Sequence, residues 1–158
     1  MFRSNRPRLA STLVALVLVA GCGTSTPTTS KTVPTTPAGP PVVKVSTTSL
    51  GPTLTDTAGF TLYVSDTDPD GEVTCLNSIC AVLFRAMRVP TKSVSVGPGI
   101  DGSKFTTIKL PNGELVAAVN GRALYRFRND KRPGQVLGNS YVNVWHAVRP
   151  SGVAFAKV

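Results

Sequence analysis

The apolar positions change their spacing along the chain, and each change marks a different kind of segment. From Leu9 to Gly21 they run almost unbroken in "LASTLVALVLVAG", 13 residues that alternate with nothing. From residue 23 to 41 they nearly vanish. From about Val42 onward they alternate with polar residues at period two, the spacing of half-buried strands. "KFTTIKL" (Lys104 to Leu110) alternates and is β-branched, and "PNGE" follows with Asn112-Gly113 at its centre, a strong hairpin signal. "LVAAV" then leads to a second such pair, Asn120-Gly121, and "RALYRFR" (Arg122 to Arg128) continues beyond it. Three antiparallel strands joined by two tight turns are predicted. "YVNVWHAV" (Tyr141 to Val148) reads as another alternating strand, and "GVAFAKV" closes the chain after a "PSG" turn. In the first half, "TLTDTAGFTLYV" predicts two short strands around Ala58-Gly59. "ICAVLFRAM" (Ile79 to Met87) is the exception, with Val82, Leu83 and Met87 on one side of two predicted helical turns. The expected fold is mostly β, a small antiparallel sandwich or barrel with one short helix.

The two N-terminal segments define where that domain works. Arg3, Arg6 and Arg8 precede the apolar run, which is shorter than the roughly 20 residues of a spanning helix. The run ends in "VAGC", with Ala20 and Gly21 directly before Cys22. This resembles the lipobox of bacterial lipoproteins, in which the cysteine is acylated and becomes the mature N-terminus. The resemblance implies a signal peptide over residues 1–21, a lipid (diacylglycerol, with palmitate-type acyl chains) on Cys22, and a body lying outside the cytoplasmic membrane. Two or more acyl chains anchor far better than one. In residues 23 to 41, Thr, Ser and Pro fill 14 of 19 positions, too little apolar surface to order a fold. Residues 22–44 are therefore expected to act as an extended linker, with the β domain over residues 45–158, large enough for one core.

Charge and cysteine usage fit that address. Removing Arg3, Arg6 and Arg8 leaves 14 basic residues against 8 acidic ones, about +6. A basic exported domain beside a membrane meets anionic headgroups and cell-wall polymers rather than nucleic acid. With Cys22 assigned, Cys75 and Cys80 remain in "CLNSIC". Outside the cytoplasm a lone close pair is most simply a disulfide. Redox-active thiols are the alternative, and a metal pair would need two further ligands when His146 is the only histidine.

Placing residue n over n + 62 aligns the two halves of the domain. Gly59 meets Gly121, Leu62 meets Leu124, Tyr63 meets Tyr125 and Asp68 meets Asp130, while Gly71 and Gly134 are one residue out of step. Phe84 falls within one residue of Trp145. This is a duplication, with repeat one at about 50–90 and repeat two at about 104–150. The motif Y-x-[FWY]-x-x-D marks bacterial lipoproteins that carry the secreted repeat of unknown function. "YRFRND" matches it at Tyr125, Phe127 and Asp130, and "YVSDTD" matches at Tyr63 and Asp68 but has Ser65 where an aromatic is expected. "CLNSICAVLF" is similar to the family's C-x-x-x-C-A-x-x-W-P-P stretch, with one more residue between the cysteines and Phe84 in the tryptophan's place. "VWHAVRPSG" also resembles the second copy. The resemblance covers roughly residues 50 to 155 and implies no defined activity.

Candidate sites are few. Asp66, Asp68 and Asp70, followed by Gly71, open like a calcium loop, but the twelfth position is Asn77 and the preceding segment reads as strand. Because Asp68 corresponds to Asp130 in a basic context, a turn whose carboxylate accepts backbone N–H bonds is preferred to a weak calcium site. Tyr63 and Tyr125 are expected to pack their rings in the core with the hydroxyls on backbone partners. By period two, Arg122, Arg126 and Arg128 share one strand face, extended by Lys131 and Arg132. That face is either solvated or docks on anionic lipid headgroups or wall polymer. Nothing assembles a catalytic set around His146, so no enzyme and no cofactor are expected. The reading is a membrane-anchored binding or interaction module. A redox or weakly metal-handling protein using Cys75 and Cys80 or the acidic loop, and a structural envelope component, are the alternatives.

Overall fold

A computed structural model describes residues 42–76 and 79–156. The signal segment, Cys22, residues 23–41 of the linker and Asn77 lie outside the described residues. Strand β1 (Val43–Thr48) begins inside the stretch expected to be linker and forms a hairpin with β2 (Gly51–Asp56). After β3 (Leu62–Ser65) and a long loop come the five-residue helix α1 (Ile79–Leu83), β4 (Phe84–Ala86) and β5 (Arg88–Val89). A 3₁₀ turn (Gly102–Lys104) opens β6 (Phe105–Lys109), followed by β7 (Leu115–Val119), β8 (Arg122–Ala123), β9 (Tyr125–Phe127) and β10 (Trp145–Ala147).

The strands form three antiparallel sheets that do not close into a barrel: β1-β2, the central sheet β10-β3-β9-β4, and β5-β7-β6 with β8 added along β7. The duplication is visible in the pairing. Tyr63 and Tyr125 are direct partners across β3 and β9, so a local two-fold axis passes between them. Around it, His146 opposite Val64 matches Arg85 opposite Arg126. The ladder bond from Asp66 N to Val144 O (2.9 Å) matches the one from Arg128 N to Leu83 O (2.7 Å). Each repeat's outer strand therefore lies on the inner strand of the other repeat: β4 on β9, and β10 on β3. The two copies are exchanged halves of one sheet.

One face of this sheet is buried throughout, and the other is buried except where Arg85 and Arg126 emerge on β4 and β9. On one lie Tyr63, Phe84, Tyr125, Phe127 and Trp145, with Phe84 and Trp145 stacked at 3.7 Å across the two repeats. On the other, Leu62, Val64, Leu124 and Val148 pack against Val43, Leu54, Phe105 and Val119 of the flanking hairpins.

Three sequence expectations are corrected. "ICAVLFRAM" is helical for one turn only, because Phe84 and Ala86 turn inward while Arg85 stays out, the alternation of a strand paired with Phe127 and Tyr125. "YVNVWHAV" becomes strand only at Trp145. Ser140, Val142 and Asn143 have positive φ, and they curl the chain so that the Tyr141 ring reaches Phe84 and Phe127. "RALYRFR" is broken at Leu124: β8 pairs with β7, whereas β9 joins the central sheet. The turn into β8 is the tight one expected of Asn120-Gly121, with φ of 49° and 80°.

Candidate functional site

Five motif residues meet at the two-fold axis. Tyr63 and Tyr125 are fully buried, and Asp68 and Asp130 nearly so, at 7% and 5% exposure. The Tyr63 hydroxyl donates to Asp130 Oδ2 (2.7 Å) and the Tyr125 hydroxyl to Asp68 Oδ2 (2.5 Å), so each tyrosine binds the aspartate of the other repeat. The remaining carboxylate oxygens accept from the chain: Leu137 N donates to Asp130 Oδ1 (3.0 Å), and Thr74 donates to Asp68 Oδ1 through both its amide (3.2 Å) and its hydroxyl. Gly138 N donates to the Tyr63 hydroxyl (3.3 Å). Phe127 completes the motif by stacking on Phe84 at 4.5 Å. Burial, then the adjacent carboxylates, push both phenols far above their ordinary value of 10.0. Burial also raises Asp130, against the hydrogen bonds from Tyr63 and Leu137. These groups direct their hydrogen bonds at one another, which makes the motif a clasp between repeats.

The acidic loop is divided among different partners. Asp66 accepts from Arg122 (3.1 Å) and meets His146 Nε2 (2.9 Å), while Asp68 faces inward in the clasp. Burial alone would raise the Asp66 carboxyl, but Arg122 and His146 together outweigh it and hold it below the usual 3.8. Asp70 packs against Gly121. Among the described residues, no three His, Cys, Asp or Glu side chains gather to hold a metal. Cys75 and Cys80 are joined in a disulfide, their Cα atoms 5.6 Å apart.

The basic face is not one surface. The break at Leu124 sends Arg122 to the Asp66 side, where it also donates to Ser65 O. Arg126, Arg128 and Lys131 instead line a groove of about 720 Å³ together with Arg85 and Arg88, floored by Phe60, Met87, Val89 and Pro90. Arg132 lies exposed beyond it. Arg126 pairs with Asp56 (3.1 Å) and stacks on Phe60 (4.4 Å), and Arg88 pairs with Glu114 (2.8 Å). Lys131 Nζ donates to Arg128 O (3.0 Å). Arg85 and Arg128 are exposed, and among the described residues their guanidinium groups meet no carboxylate. Sequence reasoning missed Arg85 and Arg88 by assigning them to a helix and its exit. The alternation Phe84, Arg85, Ala86 carried the signal, apolar in and charge out.

Residues 106–149 match the family model Lipoprotein_15, a secreted repeat of unknown function. It is the family that the duplicated motif resembles, and the matched stretch runs from β6 through β10 and holds Tyr125, Phe127 and Asp130. No curated protein and no solved structure matches the chain. Among the described residues, no helix is long and apolar enough to cross a membrane.

Proposed function

We propose that this chain, whose residues 106–149 belong to the secreted-repeat family, is a lipoprotein held to the outer face of the bacterial cytoplasmic membrane through Cys22. Its β domain binds an anionic cell-wall polymer and performs no catalysis. The observation that carries this reading is the groove lined by Arg85, Arg126, Arg128 and Lys131. Like charges placed directly opposite on neighbouring strands, as Arg85 and Arg126 are, destabilise a sheet. Arg126 has a carboxylate, Asp56, whereas among the described residues Arg85 and Arg128 meet none. An external anion removes that repulsion, and basic side chains raise its local concentration. A concave groove suits an extended polymer better than a membrane surface, which a flat or protruding cationic face meets more easily.

Two measurements test the reading. Mass analysis of the membrane-extracted protein should show a diacylglycerol adduct and loss of residues 1–21, with Cys22→Ser left unprocessed, and a mature protein that begins elsewhere without lipid would remove the anchor. Purified wall polymer should retain the protein at low salt and release it as ionic strength rises, because exposed charges are screened within about 10 Å at 0.1 M. Retention unaffected by salt, or absent at low salt, rejects the binding role.

A further inference from the structure

The two-fold axis that relates the repeats places two sites in corresponding positions, one closed and one open. In the closed site, His146 on β10 stands opposite Val64 on β3, and Asp66 lies diagonally across, two residues beyond Val64. Its carboxylate meets His146 Nε2 at 2.9 Å and Arg122 at 3.1 Å. The open site has the same backbone frame: Arg85 on β4 opposite Arg126 on β9, and Arg128 diagonally across, its amide bonded to Leu83 O as that of Asp66 is to Val144 O. Arg85 thus takes the place of His146, and Arg128 the place of Asp66. Where one half supplies its own anion, the other puts a second cation.

We infer that the open site is a subsite for a phosphate group, which bridges Arg85 and Arg128 in the position that the Asp66 carboxylate fills in the other half. This deepens the proposed function and rests on it. The choice of phosphate follows from the donors. A carboxylate offers its lone pairs in one plane, as Asp66 does to Arg122 and His146, whereas a tetrahedral phosphate also meets guanidinium forks that do not share a plane. Lys131, on the same groove wall, adds a third cation. Phe60, Met87, Val89 and Pro90 give the neighbouring surface an apolar floor, suited to the carbon backbone between successive phosphates. The ligand class is a phosphodiester-linked polyol or sugar chain of the cell wall.

Titration calorimetry on the full-length protein tests this with four probes: poly(glycerol phosphate), polyglutamate of matched charge, inorganic phosphate, and phosphatidylglycerol vesicles. The phosphate polymer should bind, and polyglutamate should bind at least tenfold more weakly. Arg85→Gln and Arg128→Gln should each weaken polymer binding roughly tenfold or more, the scale of one lost charge-assisted hydrogen bond. Arg128→Asp should abolish binding and raise the melting temperature, since it gives Arg85 the neighbour that Asp66 gives His146. Lys109→Gln, exposed on β6 and outside the groove, should bind as wild type does. Equal affinity for polyglutamate, or unimpaired binding by Arg85→Gln and Arg128→Asp, overturns the phosphate subsite and leaves the groove reading standing. Vesicle binding that exceeds polymer binding and is lost in the same variants transfers the site to a lipid headgroup and overturns the polymer. A wild-type protein that binds none of the probes sinks both readings.

Discussion

Tyr63 and Tyr125 reach past their own repeats, and that exchange can be measured residue by residue. Removing a buried acceptor leaves donors unpaired, so Asp68→Ala and Asp130→Ala should each cost about 1–3 kcal/mol in urea denaturation. The partners can be told apart by double-mutant cycles: Tyr63→Phe should couple to Asp130→Asn and add independently with Asp68→Asn. Coupling within a repeat instead would refute the exchange. The two perturbed carboxyls also act with opposite signs on pH dependence. Asp130 is raised above 3.8, so the stability tied to its protonated form is present below that value and lost as pH climbs through the raised folded value. Asp66 is lowered, so its contribution is present above 3.8 and lost as pH falls through the depressed folded value. In a stability series from pH 2 to 6, Asp66→Asn should flatten the acid limb below 3.8, and Asp130→Asn should remove an opposing slope just above it. At this scale the sequence was half legible. Duplication marked both tyrosine–aspartate pairs, but nothing local could say that the hydroxyls cross over.

At the scale of elements, the loops that follow β3 and β9 are held by different devices at matching places. One carries the disulfide Cys75–Cys80, and the other brings Gly138, one residue after Leu137, against the Tyr63 ring. A Cβ on Gly138 would lie 2.9 Å from that ring and 3.1 Å from Phe127 Cβ. Gly138→Ala should therefore cost about 1–3 kcal/mol through overpacking, while reducing the short disulfide loop should cost about 2 kcal/mol. Thermal denaturation with and without reductant measures both. A Gly138→Ala protein as stable as wild type would mean that the loop can retreat from the tyrosine. Hairpins were legible here because Asn-Gly turns and alternating residues are local signals. The short β4 and β5 were not, because strands of two or three residues with no turn signal beside them form only where a partner strand waits for them.

At the scale of the molecule, exchange of the outer strands ties the repeats into one unit. Neither repeat holds a complete central sheet, so unfolding of the β domain should be a single transition. Trp145, the only tryptophan, stacks on Phe84 of the other repeat and reports directly on their union. Destabilising variants in the first repeat (Asp68→Ala) and the second (Asp130→Ala) should shift the Trp145 fluorescence midpoint and the far-UV circular dichroism midpoint together. Separate midpoints would mean that the repeats fold independently.

The sequence by itself determined the β class, the duplication, the cysteine pair and the likeness to the secreted-repeat family, because alternation, turn residues and repeated motifs are written in neighbouring positions. Only the tertiary structure decided which strand each repeat lends to the other. It split Arg122 from Arg126 at Leu124 and brought Arg85 beside Arg126 and Arg128. The physical reason is that a strand's partner is chosen by long-range burial on both faces of the central sheet. That choice, absent from any local stretch, is what leaves one of the two corresponding sites closed by its own carboxylate and the other open.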